Sequence, residues 1–345
     1  HKRRAVPVKD TGQTMPDREN AFLSMRMLLI RMNHAGQDAF GRFGMERKHP
    51  AGLSRRKTDV EEEKMAQASF DLTRVHQANL SMLKEIDRIC RKYKIKYALD
   101  SGTLLGAVRH GGFIPWDDDA DVMMTRSNYE KFAKVARREL PEGMSFVEPN
   151  EYHGGKAFYD FVSRVTYDKS QKFEESEKMA FYDDKISRLC VDIFVADALP
   201  AGKWAKKVTK LLHCIVYGLA LGHRYRLSLS DYQGIMKLFV FVLSSVGRLI
   251  PFPVTYRLWR ALCLKDRKKQ YPLYFYSGYA PDYFYVEMEK AWDDEVEEMK
   301  FEDTKFYVPS GWKQCLTQLY GDYMKLPPKE KQIPEHSDME IKIYG

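Results

Sequence analysis

Long hydrophobic runs are missing from this 345-residue chain: no stretch reaches the roughly 20 apolar residues that a membrane-spanning helix needs. The nearest, 238–251 (LFVFVLSSVGRLIP), is short and carries Arg248. Cysteine is scarce. Cys90, Cys190, Cys214, Cys263 and Cys315 are scattered without a CxxC pair, which argues against zinc ribbons and disulfide frameworks and favours a reducing, cytoplasmic compartment. There is no internal repeat and no excess of negative charge. The net charge is +8 with a pI near 9.0, which suits anionic partners such as nucleotides, phosphorylated polymers or an anionic membrane surface. The chain starts at His1 rather than Met, so a preceding targeting segment stays open.

What is present is the composition of a folded globular protein, 44% hydrophobic and 30% charged. Three parts are expected. Residues 1–60 form a basic arm with one apolar stretch, Ala21 to Met32, which favours a docked helix over a membrane-surface role. Residues 61–200 form a catalytic core, and 201–345 a helical, aromatic-rich part that completes the site. From Glu61 a long helix is expected, because Leu72, Val75, Leu83, Ile86, Ile89, Cys90 and Tyr93 gather on one face. IKYALD (95–100) alternates like a strand and Val122 to Met124 makes a second. Ser127 and Glu130 form a capping box for a helix through about Glu139. Further strands are predicted at 158–166 and 189–195. An α/β or α+β sheet follows. Residues 203–265 are expected to pack as helices around it, with a surface role for Leu238 to Leu249 as the lesser alternative. The aromatics of 271–285 are expected to fill core rather than line a pocket.

The chemistry concentrates in 100–124, DSGTLLGAVRHGGFIPWDDDADVMM. Gly102 lets backbone approach a phosphate, Thr103 adds a hydroxyl, and the helix start after them offers N–H groups to an anion. Asp119 and Asp121, two apart on a strand, project to one face and suit a hard cation such as Mg²⁺ or Mn²⁺, with Asp117 sharing their parity. Such an ion would serve phosphoryl transfer. A solvated acidic turn is the bland alternative, disfavoured because Ile114, Trp116 and Val122 imply partial burial of the charges. Asp192, an acid within the apolar CVDIF, is the candidate third carboxylate, ahead of Asp197 at the strand's exit. Arg109, Lys156 and Arg164 are candidate donor-phosphate ligands. His110 is either an acid–base group or a loop residue.

GTLLGAVRHGGFIPWDDDAD resembles the signature of the LicD family, which includes bacterial phosphocholine transferases and is related to fukutin and fukutin-related protein. IKYALD, VDIF, FED at 301–303, YGDYMKLPP at 320–328 and His336 agree in order, so the likeness spans 72–336 and omits the arm. It implies an α+β nucleotidyltransferase-like core with a mixed β-sheet and additional helices. It puts the Gly-Ser turn on Gly102 and Thr103, the metal pair on Asp119 and Asp121, and the third acid on Asp192. VDIFVAD departs from the family, which more often has Pro and Leu after the Phe. The implied donor is a CDP-alcohol such as CDP-choline. The implied acceptor is a sugar hydroxyl on a surface glycan, such as lipopolysaccharide or teichoic acid, or on its lipid-linked precursor, with CMP released. No nucleic-acid partner is expected. The expected location is the cytoplasm, with peripheral contact at the inner face of the membrane.

Three rivals stand beside this expectation: nucleotidyl transfer from a nucleoside triphosphate, a metal-dependent D-x-D glycosyltransferase, and a non-catalytic protein holding a polyanion or membrane.

Overall fold

The computed structural model describes residues 71–345 apart from 266–268, 270, 282–283, 335–340 and 345. The basic arm, its apolar stretch, the predicted helix start at Glu61 and His336 lie outside the described residues.

Helix α1 (Thr73–Tyr93) realises the predicted apolar face, burying Val75, Met82, Leu83, Ile86, Ile89 and Cys90. Each such aliphatic side chain contributes about 1.5–3 kcal/mol on burial. It ends at Lys94 in the left-handed conformation. Then come β1 (Ala98–Leu99), α2 (Ser101–His110), β2 (Ala120–Thr125), α3 (Arg126–Glu139) and β3 (Met144–Val147). The capping-box expectation is corrected here. The extended backbone of Thr125 makes it the N-cap of α3, so Ser127 lies inside the helix and Glu130 pairs instead with Arg260.

β4 (Ser163–Tyr167), β5 (Ser170–Gln171), a short α4 (Glu177–Phe181) and β6 (Cys190–Leu199) follow, so the strand predicted over 158–166 starts later and that over 189–195 runs longer. Helices α5 (Lys203–Ala220), α6 (Gly234–Arg248) and α7 (Phe252–Lys265) form the predicted helical layer. The chain returns through β7 (Leu273–Tyr276), β8 (Glu287–Glu289), α8 (Lys290–Asp293), the hairpin β9 (Val296–Phe301) and β10 (Thr304–Pro309), α9 (Trp312–Tyr320) and β11 (Lys342–Ile343), which pairs with β5.

The main sheet is mixed, in the order β1-β2-β6-β4-β3. β2 and β6 are parallel; β1–β2, β6–β4 and β4–β3 are antiparallel. β6 is long enough that its first half pairs with β4 and its last residues with β7, which brings β8 into the same sheet. Being buried, β6 reads as a near-continuous apolar run, and Asp192 and Asp197 are its conspicuous exceptions. Tyr274, Phe275 and Tyr276 are buried, as expected of core-filling aromatics.

The expectation that Leu238 to Leu249 packs inward is corrected. Gly247 lets α6 cross α5 in backbone contact with Leu219, and in α6 only Val240, Ser244 and Gly247 are buried. Leu243 packs on Gly218 of α5, and most of the remaining apolar circumference faces outward.

Candidate active site

The register of the sheet builds the site. Asp121 on β2 is the in-register partner of Asp192 on parallel β6, and Asp192 is in turn the partner of Arg164 on antiparallel β4. Register partners point to the same face, so an acid, an acid and a guanidinium form one row across three strands. Arg164 Nε lies 2.9 Å from Asp192 Oδ1, while its Nη1 and Nη2 donate to both oxygens of Asp160 at 2.9 and 2.6 Å and Nη1 also to Tyr152 Oη at 3.1 Å.

The helix start is tied to this row. Asp121 N–H donates to Thr103 Oγ1 at 2.8 Å, locking α2 to the beginning of β2. Thr103 is buried, so its hydroxyl oxygen anchors the strand. Gly102 lets the Asp117 carboxylate come close: a Cβ there would lie 2.5 Å from Asp117 Oδ2 and displace that side chain. Asp117 stands before the strand, in the turn closed by its N–H donating to Ile114 O at 2.9 Å, and Asp119 also precedes β2 by one residue, so the expected strand placement holds for Asp121 alone and the other two acids come from the loop. From α1, His76 Nε2 donates to the Asp117 carbonyl at 2.8 Å and Asn79 Nδ2 to the Asp118 carbonyl at 3.2 Å. One face of α1 thus pins the acidic loop.

Charge is crowded here. Burial pushes the Asp121 carboxyl well above the usual carboxylate range, and Asp192, Asp119, Asp117 and Asp100 push it further. Burial also raises Asp192, against the opposing pull of Arg164. Asp100, buried at the N-cap of α2, accepts a hydrogen bond from Tyr276 Oη at 2.6 Å; burial raises it too. Lys172 forms an ion pair with Asp119. Burial opposes its charge, but the Asp119 carboxylate holds the ammonium well above the usual lysine range.

Of the three candidate cations, Arg109 and Lys156 fall outside this row. Arg109 donates to Tyr323 O at 3.3 Å and lies 6.0 Å from the Trp116 ring, where burial lowers its pKa. Lys156 is exposed after the turn Tyr152–Gly155 and enters none of the ion pairs recorded for the acids among the described residues. Arg164 holds Asp160 and Asp192 and so faces acids, where a donor-phosphate ligand was expected. His110 is largely exposed beside Trp116, and partial desolvation together with the neighbouring Arg109 charge lowers its pKa. Asp197 forms a buried bidentate pair with Arg126 at 2.8 and 2.7 Å, a structural arrangement on the far half of β6. Sequence reasoning missed Lys172, Asp160, Asp100 and Tyr276. Only Asp100, two residues before Gly102, carried a local signal.

Among the described residues no group of three or more His, Cys, Asp or Glu forms a ready-made metal cage. The acids nevertheless fit an open Mg²⁺-type site, since that ion keeps several waters and binds through one or two carboxylates plus substrate phosphates. The crowding at Asp121 is the structural observation that favours a cation, because clustered, half-buried carboxylates are costly without one.

A mixed sheet bearing a Gly-Thr helix start opposite paired aspartates defines a nucleotidyltransferase-like transferase. Residues 94–200 match the family described as LicD/FKTN/FKRP, nucleotidyltransferase domain. Over 277 residues the chain is 31% identical to a Haemophilus influenzae protein named lipopolysaccharide cholinephosphotransferase LicD, covering 74% of this chain and 92% of that one. Shorter matches join it to two proteins described as uncharacterised. The Rickettsia typhi protein is 43% identical over 54 residues, 16% of this chain and 18% of its own. The Rickettsia prowazekii protein is 54% identical over 41 residues, 12% of this chain and 15% of its own. The chain belongs to the LicD family and is a LicD-like phosphotransferase.

Proposed function

We propose that this enzyme transfers a phosphocholine-like phospho-alcohol from a CDP-activated donor to a sugar hydroxyl of a surface glycan or its precursor, releasing CMP. The acceptor of the H. influenzae relative, by its name, is lipopolysaccharide. A glycan of that kind is the first acceptor to try. The observation that carries the reading is the in-register pair Asp121–Asp192 beside the Gly102–Thr103 helix start.

In this reading Asp119 and Asp121 hold Mg²⁺ or Mn²⁺, with Asp117 at its edge. When bound, the ion supplies neutralisation of the donor's phosphate charge. The start of α2 offers backbone N–H groups to the donor pyrophosphate. Asp192 takes the proton of the acceptor hydroxyl, whose oxygen bonds to the phosphorus bearing the alcohol as the bond from that phosphorus to the CMP oxygen breaks. Burial raises the Asp192 pKa, which makes it a better base when ionised, and Arg164 positions it. Arg109 and Lys156 remain candidates for the outer part of the donor.

Incubating the protein with a divalent ion, CDP-choline and lipopolysaccharide should give acceptor-dependent CMP release. Pyrophosphate release from a nucleoside triphosphate, without CMP from CDP-alcohols, would replace this reading with nucleotidyl transfer.

A further inference from the structure

Helices α5, α6 and α7 carry a surface that the transfer chemistry leaves unused. Trp204 is 78% exposed, Ile235 86% and Leu249 84%, and Leu211, Leu238 and Phe241 are each more than half exposed. These side chains lie on adjoining helices whose inner faces bury Val216, Tyr217, Val240, Phe252 and Trp259 against one another. A helix apolar almost all round is ordinarily enclosed on all sides, by protein or by lipid. Here α6 buries one narrow stripe and leaves the rest outward.

The charge on the same helices is of one sign. Four lysines lie on α5, two basic residues on α6 and three on α7, with no Asp or Glu on any of them. Lys203, Lys207, Lys237, Arg248 and Arg257 are exposed, and Lys207 Nζ stands 5.5 Å from the centre of the Trp204 ring. Apolar side chains set among basic ones, with a tryptophan at the border, match the layering of a bilayer surface, where acyl chains lie beneath anionic headgroups.

We propose that the α5–α6–α7 face docks peripherally on an anionic phospholipid bilayer. The geometry disfavours a span. No single described helix is long and apolar enough to cross, and α6 and α7, which pass together on length and composition, are bent by 116° at their junction. A second copy of the chain suits the face poorly: Lys206 and Lys210 are answered by Glu287 and Arg260 by Glu130, but a symmetric pair would press the exposed Lys203, Lys207, Lys237, Arg248 and Arg257 of two copies together. The docking does not rest on the transfer reading, and its test reads binding alone.

The whole chain is floated with phosphatidylcholine vesicles, with and without phosphatidylglycerol, at low salt. Binding is expected to the anionic vesicles, at least about ten-fold tighter than to neutral ones, with a blue shift of tryptophan emission that Trp204→Phe diminishes. Ile235→Asp combined with Leu238→Asp, both at exposed positions, should cut binding about ten-fold or more while leaving the thermal melt unchanged. Absence of binding to anionic vesicles at low salt overturns the proposal. So does binding that the double substitution leaves intact, or a dimer in light scattering that the double substitution dissolves while vesicles bind neither form.

Discussion

Asp121 and Asp192 stand side by side in register across the parallel β2–β6 pair, with the Arg164 guanidinium next in line on β4. Two half-buried carboxylates in neighbouring strands repel each other unless cations answer them. Arg164 answers Asp192, and Lys172 answers Asp119. Asp121 remains the most crowded of the acids, with the charges of Asp192, Asp119, Asp117 and Asp100 all pressing its pKa upward after burial.

That crowding predicts opposite effects on stability and turnover. Asp121→Asn removes a half-buried charge that the fold bears at a cost, so the melting temperature in the absence of divalent ions should rise while CMP release falls by about 10³-fold. Differential scanning fluorimetry and a turnover assay on one preparation check both signs. A lowered melting temperature would show that Asp121 is stabilised by its neighbours after all.

Arg164 opposes the upward shift of Asp192. Arg164→Met should therefore raise the Asp192 pKa further and move the acid limb of the rate–pH profile to higher pH, because a base must be deprotonated to act. A profile that keeps its position while only its height drops would assign Arg164 to the fold alone.

Arg126 and Asp197 form a buried bidentate pair away from the acidic row, each side chain about 5% exposed or less. Arg126→Met leaves a buried carboxylate without its guanidinium, for which about 3–5 kcal/mol of stability is expected to be lost. Urea unfolding measures it. Loss of less than about 1 kcal/mol would mean that Ser277, which also donates to Asp197, suffices.

His213, on α5 between Phe275 and Phe284, is held down to about 4 by burial. The unfolded imidazole titrates near 6.5, so the unfolded state takes up the proton first as pH falls. The stability from keeping His213 neutral is fully present above about pH 6.5 and is lost between there and about pH 4, roughly 3 kcal/mol in all. His213→Phe should flatten that part of the stability–pH curve. An unchanged slope would show that other groups set it.

Much of the core was legible from the chain. Asp121 and Asp192 stood out as acids within apolar strands, with Asp119 one residue before β2, and the Gly-Thr step announced a helix start; these are local signals. The partners of those acids were not legible. Lys172 reaches Asp119 from just beyond β5, 53 residues along the chain, Asp160 joins the row only by holding Arg164, and His76 and Asn79 reach the acidic loop from 41 and 39 residues away. Ser127 and Glu130 matched a capping pattern, but the end of β2 placed the cap two residues earlier, at Thr125. The outward apolar face of α6 was hidden because an apolar sequence looks the same whether protein or something else covers it.

The most direct test of the central claim is acceptor-dependent CMP release by the wild-type protein and Asp119→Asn, each titrated with Mg²⁺. Divalent-dependent release that falls by about 10³-fold or more in Asp119→Asn, measured at a temperature where that variant is still folded because Lys172 loses its partner, is the predicted result. Equal turnover in the two proteins, or turnover indifferent to Mg²⁺ and Mn²⁺, would contradict it.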